Sequence, residues 1–468
     1  MRWVLAAVVL GLGGCVTAAR PPVSEPPLQD EGEVYVYLAP FPQESRRLSF
    51  SVKGIVAVGD GGQTAPLEVR LPSVAAAEQG RGERLLAIGR LPRGRYVGLR
   101  LTVADARLAG DDRAANLLVP DEPARIEVSF DVRSGQAVVL AVSFDPQRSF
   151  PGGMEFTPRF IGAVPARTPP ALVGACSNTQ TNDVTLFDTW TRAVTNVVAT
   201  GRSPYGVALD PVAARAYVAL SGQDQLDVVD LSRAESASKI PMRGGDEPRA
   251  LLLLPDRRTL LVVNFRSQTA SFVDAFTTQE QARVRVGDAP WSVVLQRGGT
   301  RAYVLNRRSN NLTVIDLGTR QAIASVPTDP EPLFGQVSRD GKRLYVIHAG
   351  SPYMNEYALP AMTVSKKIRV GLGATAIKLD SRTDLIYIAY SEEGRIQVYD
   401  SFSALPVDSF DLPGWVSQMA IEDPQNQLFA LMPALRAVAV VDLTSRRVLS
   451  VIDVSGDPYE VKLAAERN

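Results

Sequence analysis

The chain holds a single histidine, His348, and two cysteines, Cys15 and Cys176. That inventory excludes zinc or copper centres built on several imidazoles, and bis-imidazole haem ligation. No CxxCH stretch is present for covalent haem attachment. No GxSxG nucleophile elbow occurs, and "GDGG" and "GLGA" stand at turns with no helix after them, so a phosphate cradle is not expected. The carboxylates Asp246, Glu247, Asp288, Asp329, Glu331, Glu392 and Glu393 fall in loops and have the oxygen chemistry for Ca²⁺ or Mg²⁺, but no tight cluster of them forms in the sequence. We therefore expect no catalytic residues, no metal and no cofactor. His348, in "YVIHAGSPY", stands where other copies of a repeat carry Asn264 or Asn306, which reads as a polar loop residue rather than a general base. What remains is a recurrent set of aromatic, arginine and asparagine side chains, and the repeat sets their spacing.

An apolar strand after a proline or small residue recurs at Pro204 (YGVALD), Pro248 (RALLLL), Pro290 (WSVVLQ), Pro332 (LFGQVS), Ala374 (TAIKLD), Gly414 (WVSQMAIE) and Pro458 (YEVKLA), at intervals of 44, 42, 42, 42, 40 and 44. A second series ends another strand in an acidic residue: Asp188, Asp230, Asp274, Asp316, Asp400 and Asp442, with Tyr357 filling the vacant register. Seven units of this length, each able to supply four short strands, specify a β-propeller. The aspartates read as structural: a short carboxylate at a strand end accepts backbone N–H bonds and shapes the turn. One per blade also spreads them around a ring, too far apart to share a metal.

The stretches "RAYVAL", "RAYVLN" and "RLYVIH", followed by "xVID", resemble the YVTN family of seven-bladed propeller repeats, and the resemblance covers 172–468. The last copy stops after "YEVKLA", while "LVGACS", "VTLFD" and "TNVVAT" precede the first full copy between Leu172 and Thr200. The expected closing blade therefore takes one C-terminal and three N-terminal strands, which removes exposed edges. Propellers commonly bind ligands on the face built by loops leading into the innermost strands and loops joining the second and third strands. By register, the first set presents Tyr205, Arg249, Trp291, Phe334, Thr375, Trp415 and Tyr459; the second includes Asn264, Arg266, Asn306, Arg307, His348, Tyr353, Tyr390 and Glu392. Aromatics with Arg and Asn combine rigid contact area with hydrogen bonding, as a recognition surface requires; the same rings would equally plug the funnel. The expected function is binding or scaffolding on this face. The alternative comes from seven-bladed lactonases, which this repeat also resembles: hydrolysis with carboxylate and arginine on the same face.

At the N-terminus, "MRWVLAAVVLGLGGCVTAAR" places one cation, Arg2, before an apolar run from Trp3 to Leu12 that is too short for a spanning helix. Its end, Leu12-Gly13-Gly14-Cys15, resembles a bacterial lipobox. The resemblance implies a signal peptide at 1–14, acylation of Cys15, and attachment to a membrane through lipid, with Val16 pointing to the outer membrane, periplasmic or surface-facing. The Pro-rich stretch 15–32 reads as an extended tether. Cys176 then has no intramolecular partner, so no disulfide framework is expected. Alternating runs such as "IEVSFDV" suggest a sandwich over 33–163, and these segments resemble an immunoglobulin-like domain of bacterial lipoproteins. A Pro-rich linker at 164–171 permits docking or swivelling against the propeller at 172–468. Lys plus Arg equals Asp plus Glu, fifty each, with no basic run, which argues against nucleic acid. Other envelope proteins are the expected partners.

Overall fold

The computed structural model describes residues 30–77, 82–110, 114–152 and 154–466. The expected signal segment, the lipidation position Cys15 and the tether up to residue 29 lie outside them. From Val173 onward the chain forms seven four-stranded antiparallel sheets. In chain order, blades 1 to 5 have innermost strands Pro204–Asp210, Pro248–Leu253, Pro290–Leu295, Pro332–Val337 and Ala374–Leu379. Blade 6 begins at Gln418–Glu422 and blade 7 at Pro458–Leu463. The strand composition follows its layer. Second strands such as Arg301–Asn306 lie between neighbouring blades on both faces and read as continuous apolar runs, whereas outer strands such as Gln321–Pro327 face solvent and turn polar.

Blade 7 closes the ring as the sequence implied. Its innermost strand, Pro458–Leu463, pairs antiparallel with Val173–Asn178, which pairs in turn with Asp183–Asp188 and then Val194–Ala199. Cys176 is buried in its second strand. The strand-ending aspartates act as turn acceptors. Asp274 Oδ1 takes the N–H groups of Phe276 (2.9 Å) and Thr277 (2.8 Å), and Asp188, Asp230, Asp400 and Asp442 repeat the arrangement two and three residues on. The backbone donors, together with Arg258, hold Asp274 far below the usual carboxylate range.

The N-terminal region departs from the expected sandwich. Residues Glu31–Ala163 form one ten-stranded sheet curled around a single core that includes Phe50, Phe144, Phe156 and Phe160. The reason lies in the strand Thr64–Val69: its first part pairs with Leu48–Gly59 and its end pairs with Arg84–Pro92, stitching together two halves that a sandwich keeps separate. This sheet docks on the rim of the ring. Tyr35, Tyr37 and Val139 share a core with Phe187, Val194, Phe429 and Val438 of blades 6 and 7. Around it, Asp453 accepts from Arg84 Nε and from the N–H of Leu85, both at 2.9 Å, and Glu83 accepts the N–H of Val194 at 3.0 Å. The linker is also tied down: Arg167 donates to the carbonyl of Ser232, and Thr168 is buried beside Thr195. Of the two possibilities for the linker, docking is the arrangement observed.

Candidate functional site

The innermost strands share one irregularity that sets the face above them. After the first paired residue the ladder slips, between Pro248 and Ala250, Pro290 and Ser292, Pro332 and Phe334, Ala374 and Ala376. Blade 1 slips between Pro204 and Val207, and blade 7 does so around Tyr459. A bulge leaves one residue out of the ladder and re-aims its side chain. The freed residues are Tyr205, Arg249, Trp291, Leu333, Thr375 and Tyr459. The expected Phe334 is therefore displaced by one: it sits in the paired position, half-buried against the blade 4–5 core, and Leu333 occupies the bulge. Proline opens five of these strands because its missing N–H asks nothing of the ladder there. Gly206 is required beside Tyr205, since a Cβ would lie 2.7 Å from the carbonyl of Arg249 on the adjoining strand. Hydroxyl staples across three of the blade junctions fix the loops: Ser177 to the Tyr205 carbonyl, Ser292 to the Leu333 carbonyl, and Thr375 to the Val416 carbonyl.

Four rings converge on Arg249. Its guanidinium lies 3.6 Å from the centroid of Trp291, 4.8 Å from Tyr205, 5.1 Å from Tyr459 and 5.2 Å from Phe265. Tyr205 and Tyr459 meet edge to face at 4.5 Å. Arg307 also lies over Trp291, 4.8 Å from its centroid, while binding Glu331 at 2.7 Å. Among the described residues no carboxylate is paired with Arg249, and its Nε and the Trp291 Nε1 are buried without hydrogen-bond partners. Burial pushes the Tyr459 hydroxyl up to about 12, so it stays a neutral hydroxyl beside the cation. Tyr205 also borders a cleft of about 590 Å³ with Thr179, Gln180, Ser203, Arg436 and Asp457.

Other expected members of the face are structural. Asn264, Asn306 and His348 are fully buried at the ends of second strands. Asn264 Nδ2 donates to Thr269 and Ser271, and Asn306 Nδ2 to Asn311 and Thr313, latching the second strand to the third. His348 Nδ1 makes the same latch to the Tyr353 carbonyl at 3.0 Å, and burial holds its imidazole below the ordinary value. Tyr390 latches Val370 and Gln397 through its hydroxyl. Arg266 pairs with Glu247 at 3.0 Å, Tyr353 stays partly exposed, and Trp415 is half-buried on blade 6. The loop carboxylates are paired off one by one: Asp246 with Arg283, Asp288 with Arg308, Asp329 with Lys367. Among the described residues no three of His, Cys, Asp and Glu gather to metal-site spacing. Phe265 was missed in the sequence, although it stands directly between Asn264 and Arg266; an aromatic in a loop gives no sign of the ring it faces on another blade.

A closed ring of seven sheets, bulged inner strands and one caged arginine define the class: an all-β, seven-bladed β-propeller. Within it, residues 171–355 match the family model of the YNCE-like beta-propeller. No curated protein matches the sequence significantly. Among solved structures, the chain is similar to Kuenenia stuttgartiensis Hydrazine Synthase, with a TM-score of 0.51 and 18% identity over 62% of this chain and 94% of that one. It is also similar to the dihydro-heme d1 dehydrogenase NirN in complex with DHE, with a TM-score of 0.51 and 14% identity over 64% of this chain and 78% of that one. Likeness at these identities is a likeness of fold.

Proposed function

We propose that this chain is a recognition module of the cell envelope, held to a membrane through lipid on Cys15, whose propeller binds an anionic segment of a protein partner at the Arg249 face. The observation that carries the reading is Arg249 itself, a guanidinium caged by four rings and paired with no carboxylate among the described residues. A half-buried cation of this kind gains most from a partner that brings its own carboxylate and completes the desolvation, because charge-assisted bonds strengthen as water leaves. The rings supply large rigid contact area at small entropic cost, the composition of an interaction hot spot. The cleft beside Tyr205 gives the rest of the segment a place to lie. The immunoglobulin-like reading of the N-terminal region is replaced here by a curled sheet that braces the ring at blades 6 and 7.

The test is cross-linking of the protein in its native envelope, followed by mass spectrometry, for the parent chain and for Arg249→Met. A stoichiometric partner linked to loops around Tyr205 and Arg249, lost in the variant at unchanged melting temperature, supports the reading. Retention of the partner by Arg249→Met overturns it, as does a lactone-opening activity that survives the same substitution.

A further inference from the structure

The opposite face of the ring carries a different pattern. There the loops join first to second strands and third to outer strands. At the second residue after the turn-forming aspartate, three blades carry large aromatics: Trp190 after Asp188, Phe276 after Asp274 and Phe402 after Asp400. They are 65%, 60% and 68% exposed. Identical places in the repeat put them at one height, and blades 7, 2 and 5 distribute them around the ring. Three points at one height define a plane. Leu405, in the same loop as Phe402, is also exposed.

Inside this rim runs an arc of guanidinium groups on the hairpins between first and second strands. Arg297 of blade 3 donates to the Arg339 carbonyl of blade 4, Arg339 to the Arg382 carbonyl of blade 5 at 3.3 Å, and Arg382 to the Asn426 side chain of blade 6. All three are exposed, and among the described residues none is paired with a carboxylate. Their partners are neutral, so their charge is directed outward. Of the carboxylates on this face, Asp210, Asp274 and Asp380 are buried in turns, while the exposed Asp256 and Asp340 are engaged by Thr259 and Ser338 of their own hairpins. The arc and the rim are continuous: Arg343, from the same hairpin as Arg339, donates to the Ser401 carbonyl and lies 5.2 Å from the Phe402 ring.

We propose that this face docks on an anionic lipid bilayer, with the arginine arc at the phosphate level and Trp190, Phe276 and Phe402 seated in the interface. A flat, extended anionic surface is the occupant that satisfies both halves of the pattern. A free anion needs the arginines but leaves the three rings unexplained, whereas a bilayer takes the cations at its phosphates and the rings in its interface. Aromatic rings and arginines whose apolar stems lie along the surface are the side chains suited to that boundary. The inference does not depend on an acyl chain or on the Arg249 site.

The experiment is flotation of the chain from Val16 onward, which carries neither the apolar run Trp3–Leu12 nor an acyl chain, with phosphatidylcholine vesicles containing or lacking phosphatidylglycerol. The parent is expected to float with the anionic vesicles and to lose binding as salt rises. Replacing Arg297, Arg339 and Arg382 together by Gln should weaken binding about 100-fold, at about five-fold for each surface cation. Replacing Trp190, Phe276 and Phe402 together by Ser should weaken binding to the same vesicles without changing its salt dependence. All six side chains are exposed, and an unchanged thermal melt verifies that each variant is folded. Flotation of the arginine variant equal to that of the parent overturns the proposal. So does displacement of the parent from vesicles by inorganic phosphate at matched ionic strength, which assigns the arc to a soluble anion.

Discussion

Ring closure rests on the final innermost strand, and ending the chain after Gly456 removes it. The strand buries Val461 and Leu463 completely between blades, each side chain contributing roughly 2 kcal/mol. Its five paired positions with Gly174–Asn178 add hydrogen bonds of about 1 kcal/mol net apiece. The loss, roughly 9 kcal/mol, is comparable with the ~5–15 kcal/mol that separates a whole folded domain from its unfolded chain. It is also a lower bound, since the edge of Val173–Asn178 and the sides of blades 1 and 6 become exposed. The truncated chain should lack the parent's cooperative thermal transition by circular dichroism and should associate on a sizing column. Leu463→Ala, which leaves the strand in place, should instead lower stability by about 2–5 kcal/mol in denaturant titration while remaining monomeric. A monomeric truncation product with the parent's melting temperature would falsify the account of how the ring is held.

Two further outcomes follow from buried charge. Lys378 of blade 5 meets Glu466 across the ring, with side chains only 10% and 6% exposed. Burial pushes the Glu466 carboxyl up, but Lys378 and Lys462 outweigh it and leave it below its ordinary value. Glu466→Gln strands a buried ammonium and should cost about 3–5 kcal/mol, whereas adding Lys378→Met should restore most of it; equal loss in the single and double variants would refute the pair. At the docked N-terminal sheet, burial pushes Glu83 from 4.5 to about 7, partly offset by the N–H of Val194, and burial likewise takes Asp183 to about 7. The folded state therefore binds protons that the unfolded chain has released between those values. The associated stability is complete below about pH 4.5 and is lost as pH rises through about 7, with a ceiling of ~3 kcal/mol for Glu83. Unfolding by denaturant should thus require more denaturant near pH 5 than near pH 8, and Glu83→Gln should flatten that slope; identical slopes would remove Glu83 from the explanation.

Much of the ring was legible in the residues. Proline-led innermost strands, strand-ending aspartates and second strands such as "RAYVLN" repeat with the blade, and each reports a local requirement: a missing donor, a turn acceptor, burial on both faces. The site was only partly legible. Arg249, Trp291, Tyr205 and Tyr459 fall together as their register suggested, but Phe334 does not, because the one-residue ladder slip is a property of paired strands and leaves no mark on a single strand. Asn264, Asn306 and His348 looked available in a loop-edge position and are instead fully buried latches, since the third strand beside each supplies a partner for its polar group.

The sequence by itself determined the number of blades, the place where the ring closes and the structural role of the aspartates, because all three depend on periodicity and on bonds within a few residues. Tertiary structure alone decided the rest. The strand Thr64–Val69 joins two would-be sheets into one, since an unpaired edge is free to pair with whichever strand the fold brings near. Tyr35 and Tyr37 alternate with other apolar residues like any half-buried strand, and only the meeting with blades 6 and 7 shows which face they serve. Arg249 is one cation among many in the chain. Its lack of a carboxylate partner among the described residues, and its cage of rings drawn from four blades, come from residues brought together by closing the circle.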